Sequence, residues 1–171
     1  KERPLCRRRR LVRRSFAVRL AAHVIILLYI FGIRRLGEGM TDLTREDMEL
    51  IESAREAIRL NYDAVAYHHT VGAAVRCKNG KVYRGVNVYS MHGACAEQIA
   101  IGTAITNGER QFDAIVAVRG RDGAEIIPPC GNCRQILHDY MPECEVILCV
   151  EGQNIKIKAE ELLPFSYTFE G

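Results

Sequence analysis

Cys95-Ala96-Glu97 is followed, thirty-five residues after its cysteine, by Pro129-Cys130-Gly131-Asn132-Cys133, and these two short stretches decide how the rest of the chain is read. A disulfide reading needs an oxidising compartment, and the sequence carries no secretion signal with a small-residue cleavage site. A thiol redox pair would use Cys130 and Cys133 alone and leave Cys95 and Glu97 without a role. A structural zinc site wants four protein ligands, whereas three ligands and an open position are the pattern of catalytic zinc. The expectation is one Zn²⁺ per chain on Cys95, Cys130 and Cys133. Glu97, two residues past a ligand, is placed to take the proton of the attacking water.

Both cysteine groups stand at predicted helix starts. A helix N-terminus carries about half a positive charge and free amides, so two of them facing one another suit three thiolates and a cation. Working outward, the helix from about Cys95 to Asn107 closes at Gly108, and the helix Gly131–Tyr140 stops at Met141-Pro142, where proline removes a donor and restricts its predecessor. Upstream, Thr44-Arg45-Glu46-Asp47 has the form of a capping box, and Met48, Ile51, Ala54, Ala57 and Ile58 recur at helical spacing to about Leu60. Val71–Val75 and Val82–Val88 read as strands joined across Asn79-Gly80, a strong hairpin signal. Further strands are expected at Ala114–Val118, Val146–Val150 and Ile155–Lys158, with a turn over Glu151–Asn154 and a last helical turn at Ala159–Leu163. The order α-β-β-α-β-α-β-β-α gives an α/β fold with a mixed five-stranded sheet.

The 171 residues, 48% hydrophobic and 26% charged, suit one ordinary domain and exclude disordered, collagen-like and disulfide-stapled classes. The net charge of +3 hides two parts of opposite sign. Residues 1–39 carry eleven basic residues against Glu2 and Glu38, a net of +9, and the remainder carries −6. A mildly acidic domain lacks the broad positive field of non-specific nucleic-acid binding. Leu20–Ile33 is an apolar run of fourteen residues between arginines, short of the ~20 that span a bilayer. Residues 1–39 are expected to be an extension outside the catalytic domain, either not native to the mature chain or an anchor-like segment, and residues 40–171 to be that domain.

Cys95-Ala96-Glu97, Pro129-Cys130-Gly131-Asn132-Cys133-Arg134-Gln135 and Glu161-Leu162-Leu163-Pro164 resemble the small cytidine deaminases from about Leu43 to the C-terminus. Gly85-Val86-Asn87-Val88-Tyr89 and the ending Tyr167-Thr168-Phe169-Glu170-Gly171 bring the likeness nearer to the blasticidin-S deaminase branch. The resemblance implies a three-layer α/β/α sandwich, one zinc per subunit, a homotetramer or homodimer in the cytoplasm, and a cytosine-type nucleoside as substrate, without nucleic-acid or membrane partners. It also implies substrate contacts at Asn87, His69, Tyr89, Tyr167 and Phe169. Three departures stand out. Tyr89 replaces the acid expected two residues after Asn87, Gln98 replaces an arginine that would offset thiolate charge, and His69 replaces a phenylalanine that would pack on the base.

Other readings of the same residues are bland. Cys77, Cys144 and Cys149 lie in or beside apolar strands and read as small buried hydrophobes. His92 stands in a loop, His69 at a strand edge, and Tyr167 and Phe169 can be core aromatics. Arg134 has two readings, a hydrogen bond to a thiolate or plain helix-surface solvation. Beside deamination of a cytosine nucleoside stand two alternatives: deamination of a purine or pterin amine, and a non-enzymatic zinc-binding nucleic-acid module.

Overall fold

A computed structural model describes residues 42–168; the expectations for residues 1–39 and for Phe169 lie outside them. Helix α1 spans Arg45–Asn61, with Thr44 as its cap. The Thr44 hydroxyl accepts from Asp47 N–H, and the Asp47 carboxylate accepts from Thr44 N–H. The hairpin follows as β1 (Val71–Cys77) and β2 (Val82–Val86), then α2 (Ala96–Thr106) and β3 (Phe112–Arg119). A two-residue strand β4 (Glu125–Ile126) leads to α3 (Gly131–Tyr140), β5 (Glu145–Val150), β6 (Gln153–Lys158) and a 3₁₀ turn at Ala159–Leu162. The sheet runs β2-β1-β3-β5-β6, with β3 and β5 parallel and the other neighbours antiparallel. The short β4 adds a sixth strand to the five expected, pairing Ile126 with Val118.

Alternation along the strands sorts side chains into two cores. Ala73, Val75, Ile115, Ala117 and Val146 face α2 and α3, while Ala74, Val116, Val118 and Ile147 face α1. The result is a three-layer α/β/α sandwich whose central strands are apolar on both faces. Each large side chain fully buried here, such as Ile115 or Leu137, contributes about 1.5–3 kcal/mol of transfer free energy.

One polar cluster interrupts the α1 face. Asp47, fully buried, accepts from Arg76 Nη2 at 2.8 Å and pairs with Lys156 Nζ at 2.9 Å. Arg76 also holds Asp113 at 2.6 Å, and Lys156 holds Glu145 at 2.6 Å. The cluster therefore joins the first turn of α1 to four strands.

What places the site is how closely α2 lies on the sheet. A Cβ at Gly85 of β2 would fall 2.4 Å from Ala100 N and 2.6 Å from Ala96 O, so only glycine lets the first turn of α2 approach this strand. Among the described residues no helix is long and apolar enough to cross a membrane.

Candidate active site

Cys95 is the N-cap of α2, and Cys130 is the N-cap of α3 with Cys133 in its first turn. The two helix starts bring the three sulfurs within 4.8 Å of one another, with Cys95 Sγ 3.6 Å from Cys130 Sγ. Tetrahedral zinc with Zn–S bonds of about 2.3 Å separates its thiolates by about 3.8 Å, so the donor set fits that ion. Cys133 is buried, Cys95 is half-buried and Cys130 is exposed.

The three thiols and Glu97 perturb one another. Burial, joined by the neighbouring Cys130, pushes the Cys95 thiol up. Burial pushes Cys133 up further, joined by the charges of Glu97 and Cys95. Cys130 is also opposed by burial, but the amides of Cys133 and Asn132 and the adjacent thiols outweigh it and hold its thiol below the ordinary value. Glu97 is buried at 6% exposure, and burial pushes its carboxyl above the usual carboxylate range. A divalent ion among these groups would favour the thiolates and relieve the charges they impose on one another.

Cys95, Glu97 and Cys130 line a cavity of about 390 Å³, inside the range typical of small-molecule sites. The segment after β2 supplies much of its lining. Val88 and Ala94 pair through both backbone bonds (2.9 and 3.1 Å), closing a five-residue loop. Gly93 makes that closure possible, since a Cβ there would lie 2.1 Å from Val88 O. Tyr89 and Met91 on this loop line the cavity and are exposed, and the Tyr89 ring stacks on His68 with centroids 6.5 Å apart. Ile127 and Pro128 line the cavity as well.

The expected contact residues fare differently. Asn87 and Tyr89 line the cavity; His69 and Tyr167 do not. The Asn87 Oδ1 accepts from Thr70 N–H and Val71 N–H at 2.7 and 2.8 Å, and its Nδ2 donates to His68 O at 3.3 Å. Both lone pairs are in use and one amide N–H is left over. The His69 ring instead bonds Asn87 O at 2.7 Å. Tyr167 is 73% exposed, and its carbonyl accepts from Gln135. Gln98 does not turn to the sulfurs: its Oε1 accepts from Cys95 N–H at 3.0 Å, closing the cap of α2. The thiolate bond considered for Arg134 is also absent from its described bonds, because the side chain folds back to Pro129 O and reaches Leu162 O. Ser90, Met91, Ile127 and Pro128 line the cavity without having been expected. The signal for the first two was available, since residues between a sheet edge and a ligand at a helix start must pass the site.

Fold and site together place three clustered thiols and a buried carboxyl beside a cavity, a donor set that fits a metal ion. The model of the cytidine and deoxycytidylate deaminase zinc-binding region matches residues 44–149, and the chain belongs to that family. It is 40% identical over 136 residues to the blasticidin-S deaminase of Bacillus cereus, covering 74% of this chain and 96% of that protein. It is 38% identical over 106 residues to the cytidine deaminase of Halalkalibacterium halodurans, covering 58% and 78%. Among solved structures, the cytidine deaminase of Burkholderia pseudomallei superposes with a TM-score of 0.60 at 34% identity, covering 73% of this chain and all of that one. These relatives are hydrolases of C–N bonds.

Proposed function

We propose that the chain is a zinc-dependent hydrolytic deaminase of a cytosine-type nucleoside, either cytidine or deoxycytidine or a blasticidin-S-like cytosine nucleoside. The observation that carries this reading is the clustering of the Cys95, Cys130 and Cys133 sulfurs, with the buried Glu97 lining the same cavity as Cys95 and Cys130. Zinc on the three thiolates would supply a Lewis acid that lets water act as a nucleophile at neutral pH.

The remaining chemistry belongs to the chain. Water attacks the amine-bearing ring carbon while the Glu97 carboxylate takes its proton. Glu97 then delivers that proton to ring N3, takes the second proton from the hydroxyl now on the ring carbon and passes it to the departing amine, so that the C–N bond breaks, a carbonyl forms and ammonia leaves. A carboxyl raised by burial suits this exchange, because it accepts and returns a proton more evenly than an exposed one. Apolar Val71, Val88 and Ile127 suit the flat ring, the remaining Asn87 N–H suits a sugar hydroxyl, and Tyr89 gives the mouth a flat face.

The lining also speaks to the form of the substrate. Among the described residues it holds no lysine or arginine, so a phosphate would meet no cationic side chain there, which favours a nucleoside over a nucleotide. The same reading takes residues 40–171 as the catalytic domain, working as a homo-oligomer in the cytoplasm, where thiols stay reduced. The test is ammonia release from cytidine, deoxycytidine, deoxycytidylate, cytosine, blasticidin S and guanine. Turnover of a cytosine nucleoside that is lost in Glu97→Gln supports the reading. Turnover of guanine alone, or zinc binding with no ammonia from any of them, overturns it.

A further inference from the structure

The three thiols are not equally well held. Cys133 lies buried within a helical turn. Cys95 is fixed from both sides, by the Gln98 bond to its N–H and by the Val88–Ala94 pair just before it. Cys130 is exposed and follows Pro128-Pro129, two consecutive residues with no backbone N–H to donate. Ile127 N–H still reaches Ala117 O at 3.0 Å, but beyond it the approach to Cys130 has no donors of its own.

Arg134 meets that deficit. From the first turns of α3 its Nε donates to Pro129 O at 3.0 Å, and its Nη1 donates to Leu162 O at 3.5 Å in the 3₁₀ turn. The turn is itself anchored, since Ala159 N–H donates to Cys144 O and Glu160 N–H to Pro142 O. We propose that Arg134 is a positioning residue of the metal centre, bracing the double-proline segment against the 3₁₀ turn and thereby setting the Cys130 thiolate. It touches neither metal nor substrate. A guanidinium can serve two carbonyls in different directions from one rigid plane; a lysine ammonium at the same place reaches one of them with less order.

The inference rests on the reading that the three cysteines hold zinc, and the experiment keeps the two apart. Zinc affinity is measured by chelator competition on the full chain, wild type against Arg134→Ala, Arg134→Lys and His138→Ala. His138 lies on the same helix and bonds Ser166 Oγ at 2.9 Å, away from the proline segment. Loss of an outer partner of a ligand typically weakens metal binding about 10–100-fold. The expected result is zinc held at least about tenfold more weakly in Arg134→Ala and at an intermediate level in Arg134→Lys. His138→Ala should stay within about twofold of wild type, and the melting of the metal-free proteins should be alike. Should Arg134→Ala not fold, the Lys variant alone decides. Wild-type zinc affinity in the Arg134 variants, or equal weakening in His138→Ala, overturns the inference while leaving the zinc reading intact. A wild-type chain that binds no zinc overturns both.

Discussion

Replacing Asp47 with Asn tests whether the polar cluster on the α1 face holds the sheet to its helix. The Asp47 carboxyl is fully buried, and burial alone would raise it. The Thr44 amide, Arg76 and Lys156 overcome that and hold it at about 2 against an ordinary 3.8. At roughly 1.36 kcal/mol per unit, the charged form is favoured on folding by about 2 kcal/mol. Because the folded value lies below the unfolded one, this stabilisation is complete above about pH 4 and fades as the pH falls through about 2. Asn removes the charge and puts an NH₂ group against Arg76 or Lys156, so the total loss at pH 7 should be about 3 kcal/mol, the scale of a broken buried pair. Urea unfolding of both proteins from pH 7 to pH 2 measures the difference at each pH. The thiolates and other carboxylates change in parallel and cancel in the comparison. A difference below about 1 kcal/mol at pH 7, or one that persists undiminished at pH 2, would refute the reasoning.

Four further outcomes are expected. Cys130→Ala should bind no stoichiometric zinc by metal analysis and melt at a lower temperature, because ligand binding energy is shared with folding. Glu97→Gln should keep zinc and fold yet lose at least ~10²-fold in kcat, since the amide cannot carry the proton. Gly93→Ala should raise KM and also weaken zinc binding, because the new methyl collides with Val88 O and opens the pair that both closes the loop along the cavity and steadies Cys95; steady-state kinetics on a cytosine nucleoside and metal analysis check this. A chain begun at Met40 should match the full chain in turnover per zinc, which a direct assay of the two decides.

Helix starts were the most legible part of the sequence, because their signals are local. Cys95 and Cys130 cap the helices as expected, and α3 ends where Pro142 forbids continuation. Strand ends were less legible where charge disguised them. Asp113 and Glu145 lie inside β3 and β5 because Arg76 and Lys156 receive them. Gln153 and Asn154 read as turn residues, yet they pair with Val150 and Cys149. The reversal is completed by Glu151 and Gly152 alone, both at positive φ, as a two-residue hairpin requires. The two residues of β4 are too few for any periodic signal. In the site, the thiols and Glu97 were legible because their chemistry is specific to side-chain type. The partners of Asn87, Gln98 and Arg134 are backbone atoms, which no residue type announces.

The Val88–Ala94 pair has a consequence for how new substrates are reached. It makes the loop between them a cassette: its two ends are welded by backbone bonds that ask only for glycine at Gly93, and Cys95 follows directly on the far weld. Insertions, deletions or randomised residues over Tyr89–His92 alter the lining of the cavity while Cys95, one residue beyond the weld, stays in register. A library confined to those four positions can therefore explore substrate shape without searching again for catalysis.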